Sequence, residues 1–403
     1  MEPPYTPAEL AEVRAYHAPI YTAALVDLVV TPVVLALVAT LGVRRLFRVA
    51  PGSSGKPSPL NRVWGDGTWR KAVSFSLLYF GLLALLDLPK AVWFGYVREK
   101  EFGLATASLG TFVLDSLKAH AMLFLAVSAL TFGLFGIARR TKHWWWLVGL
   151  AASVVMVVST ALDPYRARLY VDETPLEAGA LRDGITSLLN RADVPFSDVL
   201  VVHTGSRSVR VQAAFAGTGP TRTILLTDTL LAAMTENEVL AAIAHESGHV
   251  HESRWVGRVL SPLAVFALLG ALEFIFRRSV KRGWYGITQR GDVRVLPLLV
   301  LLFEVAMLVL GPVTSAFARQ RESAADLYAL RLTNDAEALT SLLRELGRIN
   351  KVDPEPPRWY VLSGVTHPTI AERIAAIQKN ATPPPITPVN VGTSVQQAPG
   401  VMR

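Results

Sequence analysis

The sequence predicts a polytopic α-helical membrane protein of about six spans, carrying a split soluble domain that is mostly helical with a small α+β element. Three observations lead there. Of 403 residues, 51% are hydrophobic and only 18% charged, with a mean hydropathy of +0.35; an ordinary soluble domain carries about a quarter charged residues. Six apolar runs reach the ~20 residues needed to cross the hydrocarbon layer. Two polar stretches, between and after those runs, together approach the size of one domain. The apolar content excludes a disordered chain. The net charge of +8 comes from basic residues flanking apolar runs, where they set membrane orientation, so the lipid bilayer is the expected partner and nucleic acid is not. With no cysteine, disulfides, thiolate-bound metal and thiol catalysis are excluded. Any metal site must therefore be built from His and carboxylates.

Taken in order, residues 1–20 form an N-terminal segment without the basic start and apolar core of a signal peptide. A four-span membrane region follows over 21–162, with runs at Tyr21–Val43, Ala72–Trp93, Ala119–Ala138 and Trp144–Leu162. Trp144, Trp145 and Trp146 sit where an interfacial aromatic belt is expected. Residues 163–255 are polar. They read as a helix over Pro175–Arg191, strands at Asp198–Val202, Val209–Phe215 and Thr223–Leu226, and a further helix. A two-span hairpin (Val256–Phe276 and Val295–Phe317) occupies 256–317. The second polar part, 318–380, is helical to Asn350, loops through Asp353–Tyr360 and closes with a short helix after Pro368. Residues 381–403 are rich in Pro and polar residues and are expected to be disordered. Asp27, Asp87, Lys90, Glu273 and Glu304 fall within the spans. Charges there are costly unless they face protein or water, which points to a polar cavity at Glu304 and to snorkelling for Lys90.

The chemistry gathers on the helix that follows Thr235. Thr235 and Glu238 fit a capping box, opening a helix that carries His245-Glu246-Ser-Gly-His249. Histidines four residues apart project from one helical face and can grip one ion, with Glu246 beside them to take a proton from an attacking water. His251 and Glu252 fit that spacing less well and read as surface residues. A catalytic zinc site needs a third protein ligand. After the last span, Glu322 and Asp326 are again one turn apart. Glu322 is placed as ligand, and Asp326 as the partner of a ligand imidazole's second nitrogen. Further on, His367 is placed as an oxyanion donor and Arg373 as a group orienting it or binding substrate.

The order His245-Glu-Ser-Gly-His249, two apolar helices, Arg319-Gln-Arg-Glu322-x-x-x-Asp326 and Thr366-His-Pro-x-x-x-x-Arg373 resembles the integral-membrane zinc peptidases of the CAAX prenyl protease (Ste type) and HtpX. Arg98-Glu-Lys-Glu-Phe-Gly103, Leu114-Asp-Ser-Leu-Lys118, Thr174-Pro-Leu and Ile224–Leu231 resemble landmarks of the prenyl-protease branch, so the likeness covers roughly residues 70–380. The resemblance implies a zincin-like metalloprotease domain, one Zn2+ per chain on His245, His249 and Glu322, and Glu246 as general base. It implies a bundle around a water-filled chamber and a polypeptide substrate bound as an added strand, for which Gln212, Ala213 and Phe215 are the matching residues. Where the family reads Asn-Ala-Tyr-Phe-x-Gly this chain has Gln212-Ala-Ala-Phe-Ala-Gly217, and six spans are read against the family's usual seven. A prenyl group on the substrate is not established by any of these residues.

Three other readings stay open at this level: a site-2-type intramembrane protease, a transporter, and a zinc-binding scaffold. The first lacks support because the His-Glu-x-x-His string lies in a polar helix ahead of a span. Zinc content combined with peptide hydrolysis separates the others. The expected setting is a multi-pass protein of a bacterial-type inner or cytoplasmic membrane. Positive-inside logic places the basic loops Arg44–Lys71, Arg139–Lys142 and Arg277–Arg294 in the cytoplasm and the zinc domain outside, while the resemblance implies the reverse.

Overall fold

The computed structural model describes residues 5–42, 69–167, 172–252, 255–283, 287 and 289–381; the tail beyond 381 and most of the Arg44–Lys71 loop lie outside them. Helix α1 (Pro7–Leu37) opens on a capping box, with Thr6 and Glu9 satisfying each other's backbone N–H groups and Pro7 at the first position. Residues 7–20 are therefore the start of the same helix that carries the first apolar run. Helix α2 (Trp69–Val92) continues through a π-helical turn to Glu101; α3 (Leu109–Arg140) and α4 (Trp144–Ala167) complete the membrane region before the sheet.

Among the described residues four helical stretches are long and apolar enough to cross a membrane: Pro7–Leu41, Val73–Glu101, Leu109–Arg140 and Val293–Thr333. The remaining two expected runs are also helical, as α4 and α8 (Trp255–Arg282). Two details correct the sequence reading. Trp144 is no interfacial ring: it is fully buried against Phe276 and donates its indole N–H to Glu273 Oε2 at 2.7 Å. The indole thereby satisfies a buried carboxylate that Arg277 and Arg290 also engage. Lys90 does not snorkel alone; its ammonium lies 2.9 Å from both Asp27 and Asp87, so one positive charge is shared between a carboxylate of each span.

The soluble part is built on a four-stranded sheet in the order β1-β2-β4-β3. Strand β1 (Glu173–Pro175) is antiparallel to β2 (Asp198–Val202), β2 parallel to β4 (Thr223–Thr227), and β3 (Ala213–Ala216) antiparallel to β4 at the edge. The helix expected from Pro175 begins at Ala180 (α5, Ala180–Arg191), because Glu173–Pro175 pairs with β2 and Leu176 N bonds Val199 O. The strand expected over Val209–Phe215 is regular only at Ala213–Ala216; Gln212 still pairs with Thr227 of β4, but Val209 and Val211 take partners outside the sheet.

Two short connections then lead to the site. Helix α6 (Asp228–Ala233) ends at Met234, and α7 (Glu236–His251) starts on the expected capping box of Thr235 and Glu238. After α8 comes α9 (Leu296–Thr333), one unbroken helix of 38 residues and about 57 Å at 1.5 Å per residue. It carries the last span and runs on into the soluble core, so the anticipated boundary at 317/318 is no break in structure. Helices α10 (Ala336–Asn350), α11 (Arg358–Gly364) and α12 (Ile370–Ala381) follow. Part of the Asp353–Tyr360 loop thus belongs to α11.

The core under the sheet joins Ile185, Leu189, Val199, Ile224, Ile243 and Leu342, each almost fully buried. At about 1.5–3 kcal/mol per side chain, this burial seats α7 between the sheet and α9. A second core of Phe135, Trp144, Leu272 and Phe276 closes the opposite end of the bundle.

Candidate metal centre

Helices α7 and α9 cross in close contact at Gly248, where an added Cβ would lie 2.8 Å from Ala325 Cα. The glycine inside the His-Glu-Ser-Gly-His string lets α9 approach closely enough for its acids to face the histidines. His245 Nε2 then lies 3.4 Å from Glu322 Oε2, and His249 Nε2 lies 3.4 Å from Glu322 Oε1. The ligand atoms of His245, Glu246 and His249 all fall within 4.8 Å of one another.

The second imidazole nitrogens are held from behind. His245 Nδ1 donates to Asp326 Oδ1 at 2.9 Å; an ionised carboxylate can only accept, which fixes the tautomer and leaves Nε2 free for the site. Asp326 is itself gripped by Arg373, with Nε to Oδ2 at 2.8 Å and Nη2 to Oδ1 at 2.6 Å. His249 Nδ1 donates to Glu252 Oε1 at 2.7 Å, and Arg321 pairs with the other oxygen of Glu252. Glu252, expected at the surface, is thus the counterpart of Asp326. The expected exposure does hold for His251, although its ring bonds Ala192 O at 2.7 Å and rests on Tyr328.

Charge follows this geometry. Burial works against a charged His245, yet the carboxylates of Asp326 and Glu322 outweigh it and push the imidazole up to about 9. Burial would raise Glu322, but the two histidines hold it well below the usual carboxylate range. Glu246 goes the other way: burial lifts its carboxyl above the ordinary value, and the neighbouring Glu322 adds to that.

The residues fit a metal on two counts. Glu322 Oε2 is buried and, among the described residues, without a hydrogen-bond partner, which is costly for a carboxylate oxygen unless something else satisfies it. Donors at 2.0–2.1 Å from a tetrahedral ion stand about 3.3–3.4 Å apart, and the imidazole–carboxylate distances match that spacing.

The other expected residues are arranged around this centre. His367 Nε2 lies 3.5 Å from Glu322 Oε2, on a ring that is 60% exposed, and its Nδ1 is 3.1 Å from Thr366 Oγ1. The cap of α12 is Thr369, whose hydroxyl accepts from Glu372 N. Arg373 does not reach out to His367: its guanidinium donates to both oxygens of Asp326, and Nη2 comes to 3.4 Å from His245 Nδ1. On the sheet edge, the Gln212 backbone pairs with Thr227, while the side chains of Ala213 and Phe215 pack on the core. Glu304 is half-buried in its span, away from this group.

Comparison with known proteins agrees with that geometry. Residues 175–381 match the model of Peptidase family M48, and residues 1–166 match that described as CAAX prenyl protease N-terminal, five membrane helices, where four helices are seen among the described residues. The Uncharacterized metalloprotease YhfN of Bacillus subtilis (strain 168) is 27% identical over 324 residues, 78% of this chain and 75% of that protein. CAAX prenyl protease 1 of Saccharomyces cerevisiae is 27% identical over 332 residues, 76% of this chain and 72% of its own. The CAAX prenyl protease 1 homolog of Homo sapiens is 26% identical over 352 residues, covering 76% and 74%. The crystal structure of S. mikatae Ste24p shares the fold, with a TM-score of 0.79 over 93% of this chain and 90% of that one at 22% identity. With one model spanning the helices that carry the site and the other the membrane region before them, the chain belongs to peptidase family M48 and is a multi-pass membrane metallopeptidase.

Proposed function

We propose that the metal is zinc, one ion per chain, held by His245, His249 and Glu322, and that the protein hydrolyses internal peptide bonds of membrane-associated or unfolded polypeptides. The observation that carries this reading is the approach of two imidazole Nε2 atoms to 3.4 Å from the two carboxylate oxygens of Glu322, whose buried Oε2 makes no hydrogen bond among the described residues. A donor set of two imidazole nitrogens, each giving up its Nε2 proton when the ion binds, and one carboxylate suits zinc and leaves a position for water. When bound, the ion would polarise the substrate carbonyl and acidify the attacking water.

The chain's own residues supply the rest. Glu246, raised by its burial, takes the proton of the attacking water and delivers it to the leaving amine. His367, the exposed imidazole at the rim, donates to the carbonyl oxygen as negative charge builds on it. Asp326 keeps His245 in the ligating tautomer, and Arg373 positions Asp326 rather than touching substrate. The substrate lies as an added strand along Ala213–Phe215, reached through the backbone, with the exposed Gln212 side chain beside it. The named prenyl proteases among the relatives make lipid-modified substrates testable, but a prenyl group is no part of this proposal.

The test is the purified full chain in lipid, stripped of metal and reloaded with single divalent ions, against an unfolded fluorogenic polypeptide. Zinc should restore cleavage at one ion per chain. Full cleavage in metal-free protein, or reconstitution by magnesium alone, contradicts the reading. In the zinc-loaded protein, His367→Ala should lower turnover about 10²-fold with zinc content unchanged; full-rate turnover removes His367 from the chemistry.

A further inference from the structure

The segment from Arg207 to Phe215 behaves as one extended edge whose backbone groups alternate between the sheet and the open side. On the sheet side, Arg210 O accepts from Thr229 Oγ1 at 2.7 Å, while Gln212 N donates to Thr227 Oγ1 and Gln212 O accepts from Thr227 N, both at 3.1 Å. The odd-numbered residues face the other way. Arg207 O accepts from Thr106 N at 3.0 Å and Ala107 N at 3.2 Å, and Val209 N donates to Leu104 O at 3.0 Å. Val211 N donates to Asn350 Oδ1 at 2.9 Å, and Val211 O accepts from Asn350 Nδ2 at 3.1 Å.

Three successive outward positions are therefore filled by the chain itself. Two are taken by the loop between α2 and α3, the third by a side chain. The Asn350 carboxamide makes the same pair of bonds that a residue of an incoming strand would make, because it presents one acceptor and one donor with the spacing of a peptide group. The next two outward positions, Ala213 and Phe215, have no backbone partner on that side among the described residues. We propose that Asn350 is a specificity-determining residue, its amide ending the substrate strand at Val211 so that main-chain pairing is limited to Ala213 and Phe215 and the scissile bond is held in register.

The stop is braced. Asn350 ends α10, and its own carbonyl accepts from Arg210 Nη1 at 2.9 Å. Arg210 also donates to both oxygens of Glu99 and, through Nη2 at 3.0 Å, to Tyr16 Oη. Tyr16 belongs to α1 and Glu99 to the end of the second membrane helix, so the stop is tied to both. A one-residue shift of an added strand would turn each side chain to the opposite face, and a stop at a fixed position prevents it.

The proposal rests on the peptide-cleavage reading, and its test keeps the two apart. The zinc-loaded full chain carrying Glu246→Gln is titrated with a peptide that wild-type protein cleaves, and with versions N-methylated at one backbone amide each. Two methylations, two residues apart, should weaken binding at least 10-fold, and the one two residues further toward the Asn350 end should be tolerated within 2-fold. Adding Asn350→Ala should make that third position sensitive too and shift wild-type cleavage products by two residues, with zinc content unchanged. Three sensitive alternate positions with Asn350 in place overturn the proposal, as does an identical profile in the folded Asn350→Ala protein. If Asn350→Ala does not fold, the scan with Asn350 in place decides by itself. A zinc-loaded protein that neither binds nor cleaves any peptide overturns the cleavage reading, and this proposal with it.

Discussion

Each of the two imidazoles that face Glu322 is backed by the same chain of chemistry, histidine to carboxylate to arginine, yet the two chains are built differently. The inner one runs His245–Asp326–Arg373 across α7, α9 and α12, with Asp326 only 1% exposed and doubly bonded by the guanidinium. The outer one runs His249–Glu252–Arg321, its carboxylate just past the end of α7 and its arginine side chain 55% exposed. Both orient an imidazole. The inner pair does so away from water, where charge interactions are least screened and an unpaired partner costs most. The outer arginine is open to salt and solvent, where an ion pair is worth about 0–1 kcal/mol. Similar wiring at two depths should therefore carry unequal weight.

The substitution that breaks the comparison altogether is Gly248→Ala, since both arms depend on the contact of α7 with α9. Its Cβ meets Ala325 backbone, which cannot rotate away. We expect a loss of about 1–3 kcal/mol in thermal or denaturant unfolding, with bound zinc falling below one per chain; wild-type stability and zinc content would show that the approach is not tight. Next in size is Asp326→Asn, which should lower zinc affinity about 10–100-fold in competition with a chromophoric chelator. The equivalent change in the outer arm, Glu252→Gln, should cost about 10-fold or less: an amide oxygen can still accept the imidazole N–H in either variant, but the charge lost here faces a solvent-exposed arginine. Arg321→Ala should be smallest, under about 5-fold and fading as salt is raised. If Glu252→Gln weakens zinc binding as much as Asp326→Asn, burial does not rank the two arms.

The inner arm was partly legible in the sequence and the outer one was not. Glu322 and Asp326 stand one turn apart on a helix that the periodicity of α9 makes plain, so their shared face follows from spacing alone. Glu252 sits three residues after His249, where α7 stops, and nothing in spacing distinguishes a residue curled back onto the imidazole from one left in water. The clamp of Arg373 on Asp326 spans 47 residues, and that of Lys90 on Asp27 spans 63; such pairings depend on how elements pack. The apolar runs located the membrane helices for the same reason that the capping box located α7: both are local signals. The sheet edge failed on a non-local one. Val209 and Val211 look like strand residues, yet the membrane loop and Asn350 take their outward backbone groups.

The central claim is that Glu246 performs the chemistry at a metal held by other residues, and one paired measurement addresses it. Zinc stoichiometry and hydrolysis of an unfolded polypeptide are determined side by side for wild-type and Glu246→Gln protein in lipid. The account predicts one zinc per chain in both and a fall in turnover of about 10²-fold or more in Glu246→Gln. Undiminished turnover in zinc-replete Glu246→Gln protein would contradict it.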